Sequence, residues 1–427
     1  MAILRWLCCI TSTMLRRYRL VGLVLASLLI IGGCGAAPAE SDILDTTILF
    51  SDTTITELPQ RQSYRIGINT EVTGNGAQIG DLSIRAARLA VEEINANGGV
   101  NGIPFELIVR DCRSDAVTAL EQYRAAIAED DLIALLGPLK SAYAITMAPE
   151  HRWYDLPMFI GATNYTLTDH NAPNLFRMRP SDRLTAAAMV SLAVEQLDAQ
   201  QIGIIYDSDA FGSGGTERVV VELQQRGLLP RIRVSYPTGT KDFDTVVQTM
   251  AEANVDTVLI YGANSTDVGL LLRAIRYWNL DVTLITSPGG ASAVTHNVAA
   301  EAQDGIYVAI DAVFDTSPIG AAFQQSFVSR FGLQPDTYIA WYYDSIYLLA
   351  ETLQEHPDDP ATLSAAIRAT TYEGAQGRYR FDSKGEGLHT VKLVSMYNGQ
   401  PQLIGAYSAS GLVTRDDWQS HVKGQNP

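Results

Sequence analysis

The sequence predicts an α/β protein made of two doubly wound lobes joined by a hinge that the chain crosses several times. Three observations carry this reading. From Tyr64 onward, short apolar runs alternate with segments of helical periodicity, the pattern of parallel strands covered on both faces. The alternation falls into two series of about 100–120 residues, each enough for one wound sheet. The remainder of the chain does not read as a third lobe and is best used to complete the first two.

Residues 1–33 are read as a signal peptide. Arg16-Arg17-Tyr18-Arg19 precede the uncharged run LVGLVLASLLII, Leu20 to Ile31, and then Gly32-Gly33-Cys34-Gly35. A basic start, an apolar run too short for the roughly 20 residues of a membrane span, and small residues at the cut make a secretory signal. Ile31-Gly32-Gly33-Cys34 is similar to the bacterial lipobox, which makes Cys34 the lipidated N-terminus of an extracytoplasmic protein. Met14 can serve as the start as well as Met1. Residues 34–63, rich in Ala, Thr, Ser, Asp and Glu, are read as a flexible tether with a reach on the order of 30 Å.

The first series runs YRIGINTEV, the helix DLSIRAARLAVEEINAN with Leu82, Ala86, Leu89, Ala90 and Ile94 on one face, PFELIVR, DAVTALEQYRAAIAED, LIALLG, SAYAITMAPEH and LPMFIG. The second runs from a helix over Asp182 to Leu197 through IGIIY, GTERVVVELQQRG, RIRVSY, FDTVVQTMAEA, DTVLIYG and DVGLLLRAIRYW to VTLITS. Then come GIYVAI, helical PIGAAFQQSFVSRFG and YIAWYYDSIYLLAETLQ, and strands with a hairpin turn at Asn398-Gly399. The first lobe is assigned residues 64–179 plus 312–375, the second 180–311 plus 376–407, and 408–427 form a tail. Lobes so joined leave a cleft at the carboxyl ends of their strands, where α/β sheets bind ligands.

The bulk numbers narrow the ligand. The formal charge is −16, and since residues 1–33 carry four arginines and no acid, the rest stands at −20. Such a surface repels nucleic acid. Six scattered histidines have no ligand spacing, so no metal is expected, and no cofactor. The Gly-rich YDSDAFGSGG lacks the G-x-x-x-x-G-K-[ST] register of a phosphate cradle. No G-x-S-x-G elbow or other activated nucleophile is present, so no enzyme is expected. With Cys8 and Cys9 removed and Cys34 lipidated, Cys112 is left unpaired, a small buried hydrophobe.

The strand ends carry the site. Thr73-Gly74-Asn75-Gly76-Ala77, Gly137-Pro138-Leu139-Lys140-Ser141 and Gly161-Ala162-Thr163-Asn164 each place a glycine turn after an apolar strand. Ser141 and Thr163 sit where the next segment's free N–H groups begin, so hydroxyl and N–H can converge on a carboxylate. The alternative is that both merely cap helices.

From about Tyr64 to Tyr407 the chain resembles the leucine/isoleucine/valine-binding receptors of ABC importers, a periplasmic binding protein type I fold. The resemblance rests on YRIGINTEVTGNGAQIGDLSIRAARLAVEEINANGGVNG, LLGPLKSAYA, FIGATNYTLT, FRMRPSDRL, IIYDSDAFGSGG, TGTKDFDTVV and GRYRFDSKGE. It implies a monomeric receptor that captures a small carboxylate or amino acid and delivers it to an ABC permease. A partner of a separate membrane sensor is the alternative, or a receptor for an aromatic acid, an amide or urea. By the same resemblance Ser141 and the run Gly161, Ala162, Thr163 hold the ligand carboxylate, and the Gly161 carbonyl and Thr163 hydroxyl accept an ammonium. Asp182 stands at the lobe crossing, Phe211 closes over the ligand where the family has a tyrosine, and Tyr338 and Asn264 or Ser265 line the pocket. Three positions depart from the family. Ser287-Pro288-Gly289-Gly290 has no carboxylate for the ammonium, so Asp182, Asp207 or Asp209 must supply one or the ligand lacks an amine. Ile79 stands where some members have tryptophan. The family disulfide is absent, Lys140 filling one half of it and only Cys112 lying near the other.

Overall fold

A computed structural model describes residues 61–356 and 358–415; the signal peptide, Cys34, almost all of the tether and the end of the tail lie outside the described residues. The first lobe opens with β1 (Tyr64–Thr70), α1 (Ala77–Ala96), β2 (Phe105–Asp111), α2 (Ala116–Glu129), β3 (Ala134–Leu136), α3 (Ser141–His151), β4 (Met158–Ile160) and β5 (Leu175–Arg177). Its strands pair in parallel in the order β2-β1-β3-β4-β5. The chain then crosses to α4 (Asp182–Ser191), β6 (Ile202–Asp207), α5 (Ala210–Gln225), β7 (Ile232–Tyr236), α6 (Asp244–Glu252), β8 (Thr257–Tyr261), α7 (Ser265–Tyr277), β9 (Thr283–Thr286), α8 (Ala293–Ala299) and β10 (Tyr307–Ile310). The parallel order β7-β6-β8-β9-β10 repeats the winding of the first sheet.

A second crossing leads to α9 (Pro318–Phe331), α10 (Ala340–Glu355), α11 (Pro360–Ala369) and a ribbon of β11 (Thr371–Glu373) and β12 (Arg378–Arg380). A third returns to β13 (Thr390–Tyr397), β14 (Gln400–Ser408) and β15 (Gly411–Thr414), which add antiparallel strands beside β10.

The central strands of each wound sheet are buried on both faces, which is why they read as unbroken apolar runs, whereas edge strands such as β2 and β7 are partly exposed. In β8, Val258 and Ile260 enter one core of the second lobe, while Leu259 and Tyr261 enter the other. In the first lobe Leu136 and Phe159 face α1, α9 and α10, while Leu135, Met158 and Ile160 face α2 and α3. All five positions read as the apolar face of α1 are buried. Asn398 and Gly399 both take positive φ in a two-residue turn between β13 and β14, where Tyr397 pairs with Gln400.

Two lobe limits differ from the sequence reading. Residues after 375 stay with the first lobe: Tyr379, Phe381 and Leu388 pack in its core with Phe176 and Trp341. The buried Asp344 of α10 holds this segment, accepting from the N–H groups of Ala375 (2.7 Å) and Gln376 (3.0 Å) and from the Tyr379 hydroxyl (2.9 Å). At the other end the second sheet runs past 407 to β15, paired to β14 from Gly405 to Ser408. The first difference depends on contacts between residues far apart in the chain, to which periodicity is blind; the second is a tight hairpin in which Ser408 pairs with Gly411.

His151, at the end of α3, is fully buried and its Nδ1 lies 3.0 Å from the Tyr123 hydroxyl. Burial pulls its pKa down to about 4, below the unfolded value of 6.5. The stability it contributes is therefore complete above pH 6.5 and is lost as pH falls toward 4. Urea unfolding of wild type and His151→Gln at pH 7 and pH 5 should show the wild type losing about 2 kcal/mol more than the variant.

Candidate functional site

In both sheets the winding reverses beside the first strand of the series, between β1 and β3 and between β6 and β8, and the loops at these points diverge to leave a crevice. The loops after β1, β3 and β4 meet those after β6, β8 and β9 around one cavity of about 850 Å³, its open mouth included. Ile79, Leu139, Phe211, Pro288, Val294 and Tyr338 supply its apolar lining. Its hydroxyls include Ser141, Thr163 and Ser265, and its charged groups are Glu71, Lys140, Arg179 and Asp209.

The first-lobe wall is built on the loop Gly161–Asn164. Arg177, fully buried at the end of β5, donates through Nη1 to the Ala162 carbonyl (2.6 Å) and through Nη2 to the Asn164 carbonyl (2.8 Å). Its Nε lies 2.9 Å from a Glu386 oxygen as an ion pair. Arg179, two residues on, pairs with Asp311, donates to the Gly161 carbonyl at 3.2 Å and lies over the Tyr338 ring. Burial opposes the Arg179 charge, but Asp311 more than restores it, so the guanidinium stays protonated. Gly161 admits no side chain, because a Cβ there would stand 2.4 Å from the Trp341 indole.

With those carbonyls engaged, the loop offers the cavity the Thr163 hydroxyl. That oxygen is buried and makes no well-formed hydrogen bond among the described residues. Beside it, Ser141 Oγ accepts the Asn164 N–H at 3.2 Å, which leaves its own proton to donate. Lys140 makes no side-chain cap on α3, and among the described residues the N–H groups of Ser141 and Ala142 meet no backbone carbonyl. Two hydroxyls and the open start of a helix thus gather at one place, an arrangement suited to an anion.

The second-lobe wall carries Phe211, whose ring packs 4.8 Å from that of Tyr261. Gly214 and Gly215, in the glycine-rich run after β6, serve close packing. A Cβ on Gly214 would fall 2.3 Å from the Asn164 amide nitrogen, and one on Gly215 would fall 1.9 Å from the Tyr261 ring. The lobes touch here: Asn164 Nδ2 donates to the Ala210 carbonyl (2.7 Å) and the Tyr165 hydroxyl to Glu217 (2.9 Å).

Of the residues singled out from sequence, Ser141, Thr163, Phe211, Asn264 and Tyr338 line the cavity. Gly161, Ala162 and Asp182 do not. The Gly161 carbonyl, assigned to an ammonium, bonds Arg179, and Ala162 is held from behind by Arg177. Asp182 is fully buried, receives the Tyr261 hydroxyl at 2.9 Å and ties the loop through its N–H, donated to the Thr163 carbonyl. Burial pushes its carboxyl up to about 6, against the nearby Thr163 and Tyr261 hydroxyls and the two arginines. Asn264 also caps α7, its Oδ1 accepting from Thr266 and Asp267. Ser265 bonds the Tyr338 hydroxyl at 3.3 Å. Cys112 is buried and free, its thiol pushed up by burial to about 11. Arg177 and Arg179 were missed, although two arginines alternating with the apolar Phe176 and Met178 are themselves a signal, since charges carried into the interior must be paired.

Two wound lobes around a lined gap define a two-lobed solute-binding fold. The chain belongs to the periplasmic binding protein family, whose model matches residues 63–400. It is 24% identical over 329 residues to the leucine-, isoleucine-, valine-, threonine- and alanine-binding protein of Pseudomonas aeruginosa, covering 76% of this chain and 87% of that one. Among solved structures, the leucine-binding protein LivK of Thermotoga maritima matches 81% of this chain and 99% of its own with a TM-score of 0.75 at 21% identity. A solute-binding protein of R. palustris, solved with benzoate, matches 83% of this chain and 98% of its own with a TM-score of 0.75 at 18% identity.

Removing Arg177 would strand Glu386 and two backbone carbonyls in the interior. Arg177→Ala should lower the unfolding free energy by about 3–5 kcal/mol. Arg177→Lys should recover little of it, because one ammonium cannot reach all three partners. Chemical denaturation checks both.

Proposed function

We propose that this chain is an extracytoplasmic solute receptor that captures a small carboxylate or amino-acid-like ligand between its lobes and delivers it to an ABC import permease. It acts as a monomer, without catalysis, cofactor or metal, and is held at the membrane by a lipid on Cys34 and the tether after it. The observation that carries this reading is the gap lined from both lobes, with the Ser141 and Thr163 hydroxyls together on one wall. The family consists of binding proteins, and the Pseudomonas relative is named for five amino acids.

The ligand docks first on Ser141 and Thr163, since those groups are set by the first lobe alone. The second lobe then closes, bringing Phe211 over the ligand and excluding water, and the Asn164 and Tyr165 bonds to α5 form at the same time. Closure is a population shift whose extent is bounded by the ligand's preference for the closed form. A second reading, a receptor for an aromatic acid, draws support from the rings of Phe211 and Tyr338 in the lining and from the absence of a carboxylate in Ser287–Gly290. A ligand-sensing partner of a separate membrane sensor would use the same site.

A calorimetric screen of amino acids, aromatic acids, short carboxylates, amides and urea tests the proposal, and binding by none of them would overturn it. With any ligand found, Thr163→Ala should weaken binding roughly 10- to 150-fold, the loss of one charge-assisted hydrogen bond. Gly214→Ala should leave the fold intact and obstruct closure, because its Cβ occupies the place of the Asn164 amide. We expect affinity to fall roughly 5- to 150-fold, with a smaller ligand-induced contraction in X-ray scattering.

A further inference from the structure

Two cations line the gap, and they differ in what surrounds them. Lys140 pairs with Glu71 at 2.7 Å and its side chain is 27% exposed, so water can complete its hydrogen bonds. Arg179 lines the same cavity with a side chain only 7% exposed. A guanidinium carries five N–H donors and no acceptor. Three of the five have partners among the described residues: Nε and Nη2 donate to Asp311, the latter at 3.4 Å, and Nη1 donates to the Gly161 carbonyl at 3.2 Å. The other two, one on each terminal nitrogen, meet no acceptor among the described residues. Buried donors of a charged group are costly to leave unpaired, and the space that this residue borders is the cavity.

We propose that Arg179 is a ligand-binding residue whose guanidinium completes the anion site of Ser141 and Thr163, so that the site takes a carboxylate and rejects the corresponding amide or urea. This rests on the receptor reading above and narrows it. Arg179 holds the Gly161 carbonyl, two residues before Thr163, and the buried Asp182 carboxylate lies beside both Arg179 and the Thr163 hydroxyl. The guanidinium therefore borders the hydroxyl shelf. Asp311 orients it from one edge, and the Tyr338 ring, its centroid 5.3 Å from the guanidinium carbon, backs one face. The two spare N–H groups sit on adjoining nitrogens and can meet both oxygens of one carboxylate. The hydroxyls alone would not discriminate, because each can donate or accept and so receives an acid and an amide alike. A guanidinium only donates, and the NH2 of an amide turned toward it finds no acceptor.

The test uses matched ligands that differ only at the acid: benzoate against benzamide, 4-methylpentanoate against 4-methylpentanamide, and L-leucine against L-leucinamide. Each is titrated by calorimetry into wild type and into a double variant, Arg179→Gln with Asp311→Asn. Changing both members leaves no stranded charge in the interior. Wild type should bind at least one acid more tightly than its amide by roughly 10- to 150-fold, and the double variant should lose most of that ratio. The ratio is the readout because a loosened loop would weaken acid and amide together. A wild type that binds amides as well as acids overturns this proposal and leaves the receptor reading intact. So does a double variant that keeps the full preference. A crystal structure of wild type with the bound acid needs no variant: an Arg179 nitrogen within about 3.2 Å of a carboxylate oxygen is expected, and an acid seated away from Arg179 overturns the assignment. A wild type that binds none of these probes overturns the receptor reading for these classes and this assignment with it.

Discussion

The loop Gly161–Asn164 is held in place by two buried arginines, and the site depends on that restraint. A loop at the end of a short strand has several carbonyls with no ladder partner, and leaving them unpaired in the interior is costly. Arg177 and Arg179 take three of the four and are themselves neutralised by Glu386 and Asp311. Asp311 follows β10 and Glu386 lies between β12 and β13, so the loop is completed by chain that has already passed through the second lobe and returned to the first. Once the carbonyls are occupied, the surface turned to the gap is donor-rich. This is how a stretch with no formal charge can accept an anion.

A second tie acts at the neighbouring strand ends. Glu71, after β1, and Lys140, after β3, form an ion pair where the resemblance would place half of a disulfide. Tyr143 adds its hydroxyl to the same carboxylate. The pair joins the two loops at the point where the winding reverses. Unlike a disulfide, it is independent of redox conditions and leaves the buried Cys112 thiol uninvolved.

Much of the architecture was legible because it arises from local pattern. The face Leu82, Ala86, Leu89, Ala90 and Ile94, the apolar strands and the Asn398-Gly399 turn all depend on neighbours in sequence. Ser141 and Thr163 stood out because wound sheets bind at strand ends. Other features were hidden because their causes lie far along the chain. Gly161 reads as a flexible turn, yet it is glycine because the Trp341 indole lies against it. The run Gly212-Ser213-Gly214-Gly215 lacks the register of a phosphate cradle, and its sequence gives no other reason for the glycines; two of them make room for Asn164 and Tyr261. The boundary after residue 375 depends on Asp344 reaching back to Ala375.

The three crossings also govern when the protein can fold. The core of the first lobe begins at Tyr64 but needs Phe323, Trp341, Leu363, Tyr379 and Leu388 to close. A ribosome must therefore make most of the chain before that lobe can be completed, and its early strands wait for partners of high sequence separation. The first lobe thus remains incomplete until the chain has passed through the second lobe and come back.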